Sequence, residues 1–199
     1  MPRPARQRQT GFSLTELIVA LAVAVILIAV ALPMFLRVYR SYQLTHAAQQ
    51  MADILRLTRY EAIRLNKPVN CVVNGSAGPS GMTQVWADSN GNGALDQTEK
   101  VILLGTYGNL VDAGTVPPFS MMTTGSNIGS MAVSYPSSTN SSITFDARGA
   151  VTFPANCVNV FFLASAAGQD AGYRAVMLMP AGSIQIWTGD STGNWQELR

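Results

Sequence analysis

The sequence predicts an α+β protein in which one long N-terminal helix packs on a head of antiparallel β-strands. Three observations lead to this prediction. An uncharged apolar run fills residues 17–36, an amphipathic helical pattern follows it, and short apolar segments alternate with Gly, Ser, Asn and Pro clusters from residue 68 onward. The 199 residues are enough for one domain with an appendage. The expected segments are 1–11, 12–36, 37–67 and 68–199.

Composition narrows the classes of protein to which the chain can belong. Hydrophobic residues make up 48% of the chain and charged residues only 12%, which excludes a disordered protein. The formal net charge is +2, which is too small for a basic nucleic-acid coat or an acidic tail. One histidine and two cysteines leave little material for a zinc ribbon or a metal-hydrolase cluster.

The apolar run from Leu17 to Leu36 carries no charge and is long enough to span a bilayer as a helix. Three arginines lie in residues 1–11, and positive charge before an apolar segment keeps that end in the cytoplasm. A secretory signal peptide has a shorter apolar core followed by a cleavage site, whereas here a helical pattern continues past the run. We therefore expect a single-pass protein of the inner (cytoplasmic) membrane with its head outside the cytoplasm.

The residues where this run begins, Gly11-Phe12-Ser13-Leu14-Thr15-Glu16, resemble the processing site of type IV prepilins. The resemblance implies that prepilin peptidase removes residues 1–11 as a basic leader and that Phe12 becomes the N-methylated N-terminus. It places Glu16 at the fifth mature position, where the family has its glutamate, and Pro33 at the proline midway along the helix. It also implies a pilin-like fold, pilin or pseudopilin subunits as partners, and a head in the periplasm or on an extracellular filament.

Physical reasoning connects Glu16 and Pro33 with assembly. An unpaired carboxylate near a membrane is costly, so Glu16 is expected to pair with the N-terminal amine of a neighbouring subunit. Solvation of Glu16 at the lipid interface is the alternative. Pro33 removes a backbone hydrogen bond and is expected to break or bend the helix, which could also be a harmless kink.

An amphipathic pattern continues the helix beyond the apolar run. Apolar residues recur at three- and four-residue spacing from Leu44 to Ile63, and the opposite face is rich in arginine. We expect one helix from about Ser13 to Asn66, stopped by Pro68, with its second half packed on the head. His46, the only histidine, lies on this helix, where a surface or packing role is expected rather than a catalytic one.

Nine strands are predicted in the head from short apolar runs between turn residues. They are Val69–Val73, Met82–Ala87, Lys100–Tyr107, Met131–Tyr135, Ser142–Phe145, Ala150–Phe153, Val158–Ala164, Arg174–Met179 and Ser183–Thr188.

The helix ends in Arg59-Tyr60-Glu61-Ala62-Ile63-Arg64-Leu65-Asn66-Lys67-Pro68-Val69. Two head segments follow, Val85-Trp86-Ala87-Asp88 before an Asn/Gly loop and Phe145-Asp146-Ala147-Arg148-Gly149. These three segments resemble the GspH/FimT family of minor pseudopilins and minor pilins, in which the last corresponds to a Phe-x-x-x-Gly turn. The resemblance implies a structural, non-enzymatic subunit of a type IV pilus or of type II secretion. Some members bind DNA through an arginine-rich segment, but residues 182–185 lack both arginines, so DNA is not expected as a partner.

Residues 88–99 fit the twelve-residue pattern of calcium-binding loops. Side-chain oxygens would come from Asp88, Asn90, Asn92, Asp96 and Glu99, a carbonyl from Ala94, and the sharp turn from Gly93. The flanking segments are predicted strands rather than helices, so a Gly/Asn turn with solvated side chains is the alternative. Calcium is thus the one possible cofactor, and it would suit an alternative function as a membrane-anchored binding or adhesion module.

The two cysteines, Cys71 and Cys157, both fall in the predicted β-rich head. Two cysteines in an exported domain favour a disulfide, and closing so long a loop would add up to about 4 kcal/mol of stability. Two buried thiols that behave as small hydrophobic groups are the alternative.

Overall fold

The N-terminal part of the chain forms a single helix, α1, from Leu14 to Leu65. These bounds come from a computed structural model, which describes residues 13–75, 82–105, 108–118, 127–128, 131–165 and 171–198. The predicted helix is therefore confirmed. Helical structure continues through Pro33, so the predicted break is absent. A proline removes one hydrogen bond of the ladder, whereas the residues on both sides keep theirs.

The chain divides into two units, Met1–Val38 and Tyr39–Arg199, and α1 contributes to both. The second unit contains all the strands that the structure describes. These are β1 (Val69–Asn74), β2 (Thr83–Asp88), β3 (Val101–Leu104), β4 (Asn109–Val111), β5 (Asn127–Ile128), β6 (Met131–Ser134), β7 (Asn140–Phe145), β8 (Val151–Phe153), β9 (Cys157–Ala164), β10 (Tyr173–Leu178), β11 (Ile184–Gly189) and β12 (Trp195–Glu197).

The strands form two sheets. The first has the order β3-β2-β1-β7-β8, and the second has the order β12-β11-β10-β9-β6-β5, with β4 also paired to β9. Neighbouring strands are antiparallel, as predicted, except that β6 and β9 are parallel. Each of the nine predicted strands is present, whereas β4, β5 and β12 were not predicted, because two or three residues are too few to show a period.

Two hydrophobic cores stabilise the head. The first joins the apolar stripe of α1, from Leu44 to Ala62, to strands of both sheets, including Phe145 and Phe161. The packing predicted for the second half of the helix is therefore confirmed. The second core covers the opposite face of the larger sheet and contains Phe162 and Trp195. Strand β9 is buried on both faces, which explains why its sequence is almost continuously apolar.

Candidate functional site

The first half of α1 presents an almost continuous apolar surface. The large hydrophobic residues from Leu14 to Val38 are all at least 41% exposed. Among the described residues, α1 is the one helix that is long and apolar enough to cross a membrane. So large an exposed apolar surface marks a site of contact with a membrane or with other proteins.

Glu16 lies in the first turn of α1 with its side chain exposed. Its N–H donates to Oγ of Ser13 at 3.2 Å, so Ser13 caps the helix in half of a capping box. The negative charge also suits the positive end of the helix dipole. Within the described part of the chain, Arg56 pairs with Asp53 and Arg64 pairs with Glu61, whereas the Glu16 carboxylate forms no ion pair there.

The other residues expected to take part in processing and assembly are less fully described. Pro33 is exposed on the apolar part of α1. Gly11 and Phe12, between which the cut is expected, lie outside the described residues.

Arg59 connects α1 to two turns of the head. Its Nε donates to the carbonyl oxygen of Gly149 at 3.0 Å, and its Nη1 donates to that of Gly182 at 3.2 Å. Both glycines have positive φ angles, 79° and 81°. A Cβ atom at Gly149 or Gly182 would lie 2.8 or 2.7 Å from the Arg59 Nε. Glycine is therefore required at both turns, by backbone conformation and by space.

Arg174, on β10, is hydrogen-bonded to a part of α1 that precedes Arg59 and is only 5% exposed. Its Nε donates to Oγ1 of Thr45 at 3.0 Å, and its Nη2 donates to Oγ and the carbonyl oxygen of Ser41 at 2.8 and 3.3 Å. Its Nη1 donates to the carbonyl oxygen of Tyr173 at 2.9 Å. These four acceptors are uncharged, and burial lowers the pKa of the guanidinium. Sequence reasoning missed this contact, although a hydroxyl pair four residues apart on a helix face was a usable signal.

The loop expected to bind calcium is stabilised by its own hydrogen bonds. The two carboxylate oxygens of Asp88 accept the N–H groups of Gly91 and Gly93 at 2.7 and 3.0 Å. Those of Glu99 accept the N–H groups of Ser89 and Asp96 at 2.9 and 3.2 Å. Both acidic side chains are buried while they make these bonds.

The remaining expected ligands are also engaged within the loop. The side-chain amides of Asn90 and Asn92 donate to the Asp96 carboxylate, and their oxygens accept the N–H groups of Asn92 and Ala94. Gly93 adopts a φ of 73°, as a tight turn requires. In the described part of the chain, no three Asp, Glu, His or Cys side chains are grouped so that they could hold a metal ion. The structure therefore supports the turn interpretation and not the calcium one.

The predicted disulfide is not formed, because Cys71 and Cys157 are both buried free thiols. Cys71 lies on β1 of the smaller sheet, and Cys157 lies on β9 of the larger sheet. Each thiol has its own hydrogen-bond partner, since Cys157 donates to the carbonyl oxygen of Pro154 at 3.4 Å and Cys71 bonds to Thr58. Burial raises the pKa of the Cys71 thiol to about 12.

Two family models match the chain. The prokaryotic N-terminal methylation motif matches residues 6–32, a range that includes Gly11, Phe12 and Glu16. The model described as type II transport protein GspH matches residues 47–182, which is more than half of the chain. That range includes both Arg59 and Arg174 and the two glycine turns.

Two solved structures are similar to the chain, both of the type IV minor pilin FimU from Pseudomonas aeruginosa. The first is 14% identical, with a TM-score of 0.46, and the match covers 78% of this chain and 93% of FimU. The second, from another crystal form, is 15% identical, with a TM-score of 0.44, and the match covers 77% of this chain and 97% of FimU. No curated protein matches the chain significantly.

The two family matches complement each other along the chain. The methylation motif accounts for the start of an exposed apolar helix, and the GspH model accounts for the amphipathic half of that helix and the two-sheet head. The chain therefore belongs to the GspH family, and it is a pilin-like structural subunit of the minor pilin and minor pseudopilin type.

Proposed function

We propose that the protein is made as a precursor, cut by prepilin peptidase after Gly11 and N-methylated at Phe12. The mature protein then resides in the inner membrane with its head in the periplasm, until it enters the filament of a type IV pilus or a type II secretion pseudopilus. One observation carries the proposal. A methylation motif over residues 6–32 runs directly into a helix whose first half is apolar and exposed.

Glu16 is the residue that we assign to assembly. Its carboxylate is exposed at the start of α1 and has no ion-pair partner in the described part of the chain. In apolar surroundings an unpaired carboxylate is costly, and a positive N-terminal amine of a neighbouring subunit would offset that cost. Such a pair would fix the axial position of one helix beside the next.

The head has a structural role in this proposal, and no step requires a catalytic site. DNA is not a proposed partner, because phosphate binding needs clustered and accessible cations. Of the few positive charges that follow residue 67, Arg174 is buried and donates to uncharged oxygens of α1.

The test compares Glu16→Gln with Asp53→Asn, which removes one negative charge from an exposed position later on the same helix. Cells that assemble the filament would express each variant, and sheared filaments and membranes would be probed for the protein. We expect Glu16→Gln to reach the membrane but to be lost from filaments, whereas Asp53→Asn enters both. Normal incorporation of Glu16→Gln would contradict the assembly role.

Mass spectrometry of the mature protein tests processing separately. The proposed cut predicts an N-terminal peptide that begins with methylated Phe12. An intact leader in the membrane-bound protein would refute the precursor proposal.

A further inference from the structure

Strand β3 lies at the edge of the smaller sheet. It is antiparallel to β2, and no other described strand pairs with it. The N–H of Ala87, next to β2 residue Trp86 in the chain, donates to the carbonyl oxygen of Lys100 at 3.3 Å. Hydrogen-bonded positions alternate in an antiparallel pair, so the backbone groups of Lys100 and Ile102 are directed toward β2. The N–H and C=O groups of Val101 and Leu103 therefore point away from the sheet.

These outward groups have no hydrogen-bond partner within the described part of the chain. They present two donors and two acceptors along about 7 Å of strand. The other edge of the same sheet differs, because the N–H of Val151 on β8 donates to the carbonyl oxygen of Pro180 at 2.8 Å. At β3, the sheet is open to a further strand.

The side chains of β3 make this edge apolar on both faces of the sheet. Leu104 belongs to the first hydrophobic core, and Ile102 packs against it. Val101 and Leu103 lie on the outer face and are 38% and 42% exposed. The four residues include no charge and no proline, and their register with β2 is regular. The strand thus lacks the features that usually protect an edge from pairing, and it favours an extended apolar segment as its partner.

The loop that precedes β3 holds the edge in position. Glu99 is buried, and its carboxylate accepts the N–H groups of Ser89 and Asp96 at 2.9 and 3.2 Å. Asp88, the last residue of β2, accepts two further N–H groups of the loop. The connection is therefore fixed at both ends, which lowers the entropy cost of adding a strand to β3.

The small size of the edge indicates how its partner is held. A stable interface between free proteins buries roughly 800 Å² on each side, far more than a strand of four residues can offer. Pairing at β3 would therefore not join two free molecules. It would contribute to binding only where another interface already keeps the partner close, as α1 does for neighbouring subunits in the proposed filament.

We propose that β3 pairs with an extended segment of a neighbouring filament subunit, so that the smaller sheet continues into the next molecule. The inference rests on the proposed function. The backbone of the segment bonds to the outward groups of Val101 and Leu103, and its apolar side chains contact theirs at alternate positions. A segment with a proline or a charge opposite these two residues would not fit.

The experiment measures incorporation of β3 variants into sheared filaments. Leu103→Pro removes an outward N–H that β2 does not use, whereas Leu103→Thr keeps that N–H and shortens the side chain. Val101→Lys/Leu103→Lys leaves the backbone unchanged but places two charges at the edge. The matched control is Phe153→Lys/Leu198→Lys, which makes the same change at two exposed apolar positions outside β3.

We expect Leu103→Pro and the β3 double-lysine variant to enter filaments about ten-fold less than the wild type or worse. Each leaves a backbone group of the partner buried and unpaired. Leu103→Thr and the control should be affected much less. Melting temperatures in detergent identify a poorly folded variant, and the double-lysine variant keeps every β2–β3 hydrogen bond, so it tests the edge even if the proline destabilises the head. Equal incorporation of the β3 double-lysine variant and its control would overturn the proposal.

A photo-reactive residue at position 103 identifies the partner. In filaments, crosslinks are expected to one segment of another subunit, with apolar residues at alternate positions. Crosslinks to lipid alone, or between two copies of the chain before assembly, would contradict the proposal. Absence of the wild type from filaments would refute the filament role and this inference with it. If the wild type enters filaments and the β3 variants match their controls, only the pairing at β3 is refuted.

Discussion

Replacing Thr45 with valine tests whether the buried Arg174 fastens α1 to the head. The substitution keeps the shape of the side chain but removes the hydroxyl that accepts the Arg174 Nε at 3.0 Å. Arg174 is 5% exposed, so water cannot readily replace the lost acceptor. The guanidinium would then keep its bonds to Ser41 and Tyr173 but would bury one unsatisfied donor.

The expected cost follows from the charge and burial of that donor. Leaving a buried donor unsatisfied costs about 1–3 kcal/mol, and a charged donor belongs to the upper part of that range. We expect Thr45→Val to lower the free energy of unfolding by about 2 kcal/mol. For a protein of this size, that corresponds to a fall of about 4–8 °C in melting temperature.

A double-mutant cycle separates this effect from the loss of a hydroxyl on a helix. Arg174→Met removes the charge and all four hydrogen bonds but keeps an unbranched apolar side chain. Because it also removes the cost of burying a cation, it should destabilise less than the sum of those bonds. In the Arg174→Met background, Thr45→Val should cost less than about 0.5 kcal/mol, so a coupling of about 1.5 kcal/mol is expected.

The assay is urea unfolding of the full chain in detergent, followed by the fluorescence of the buried Trp187 and Trp195. Thr98→Val is the matched control, because Thr98 is exposed in the β2–β3 loop. If Thr45→Val and Thr98→Val shift the unfolding curve equally, the Arg174–Thr45 hydrogen bond does not stabilise the packing of α1 on the head. A coupling near zero in the cycle would lead to the same conclusion.

Four further predictions concern one turn, the two cysteines and the loop. Gly182→Ala should destabilise the head by about 2 kcal/mol or more, because the φ of 81° disfavours a side chain and a Cβ would lie 2.4 Å from a backbone oxygen. Gly114→Ala is the control, since its Cβ would meet nothing within 4 Å, and equal melting temperatures of the two variants would contradict the prediction. Without reductant, the denatured chain should take up two alkyl groups, and no uptake would indicate a Cys71–Cys157 disulfide. The pKa of the Cys71 thiol is about 12 in the folded state against 9.0 ordinarily, so the protonated thiol contributes fully to stability below pH 9, and this contribution is lost as the pH rises to 12. In unfolding titrations, Cys71→Ala should reduce the decrease of the free energy of unfolding over this pH range. Neither excess calcium nor a chelator should change the melting temperature, and a rise with calcium that Asp96→Asn abolishes would restore the calcium interpretation.

The helix and the longer strands could be predicted because each leaves a local periodic pattern of apolar residues in the sequence. The three- and four-residue spacing from Leu44 to Ile63 predicts the face that packs on the sheets, and that face is buried as far as Ala62, whereas Ile63 is 46% exposed. Strand pairing is not recorded in this way. The parallel pair of β6 and β9 and the division of the strands into two sheets depend on contacts between distant segments.

The contacts of Arg59 and Arg174 were not predictable from residue type. On a helical wheel, Arg59 belongs to the polar face, and in sequence Arg174 resembles a surface cation of a strand. Both side chains instead donate to backbone or hydroxyl oxygens that the fold brings within 3.3 Å. Only the Phe145–Gly149 turn could be recognised from the sequence, and the carbonyl oxygen of Gly149 accepts one of the Arg59 hydrogen bonds.

The Asp88–Glu99 loop has a complete calcium motif but the flanking elements of a tight turn. A calcium loop needs oxygen ligands that converge on one point, which flanking helices help to arrange. Here the ends of the loop are β2 and β3, which pair with each other antiparallel. The same carboxylates that a calcium ion would need satisfy the N–H groups of a tight connection, as Asp88 does for Gly91 and Gly93. Residue spacing is the same in both cases, and the flanking strands favour the tight connection.

Arg174 and Arg59 give the two halves of α1 different roles. Arg174 donates to Ser41 and Thr45, close to the boundary between the two units after Val38. Arg59 holds the same helix about four turns later. Between these two points the helix is tied to the head by charge-assisted hydrogen bonds as well as by its apolar stripe. Before them, the large hydrophobic residues from Leu14 to Val38 are exposed. Weakening Arg174 should therefore loosen the head before it affects membrane insertion.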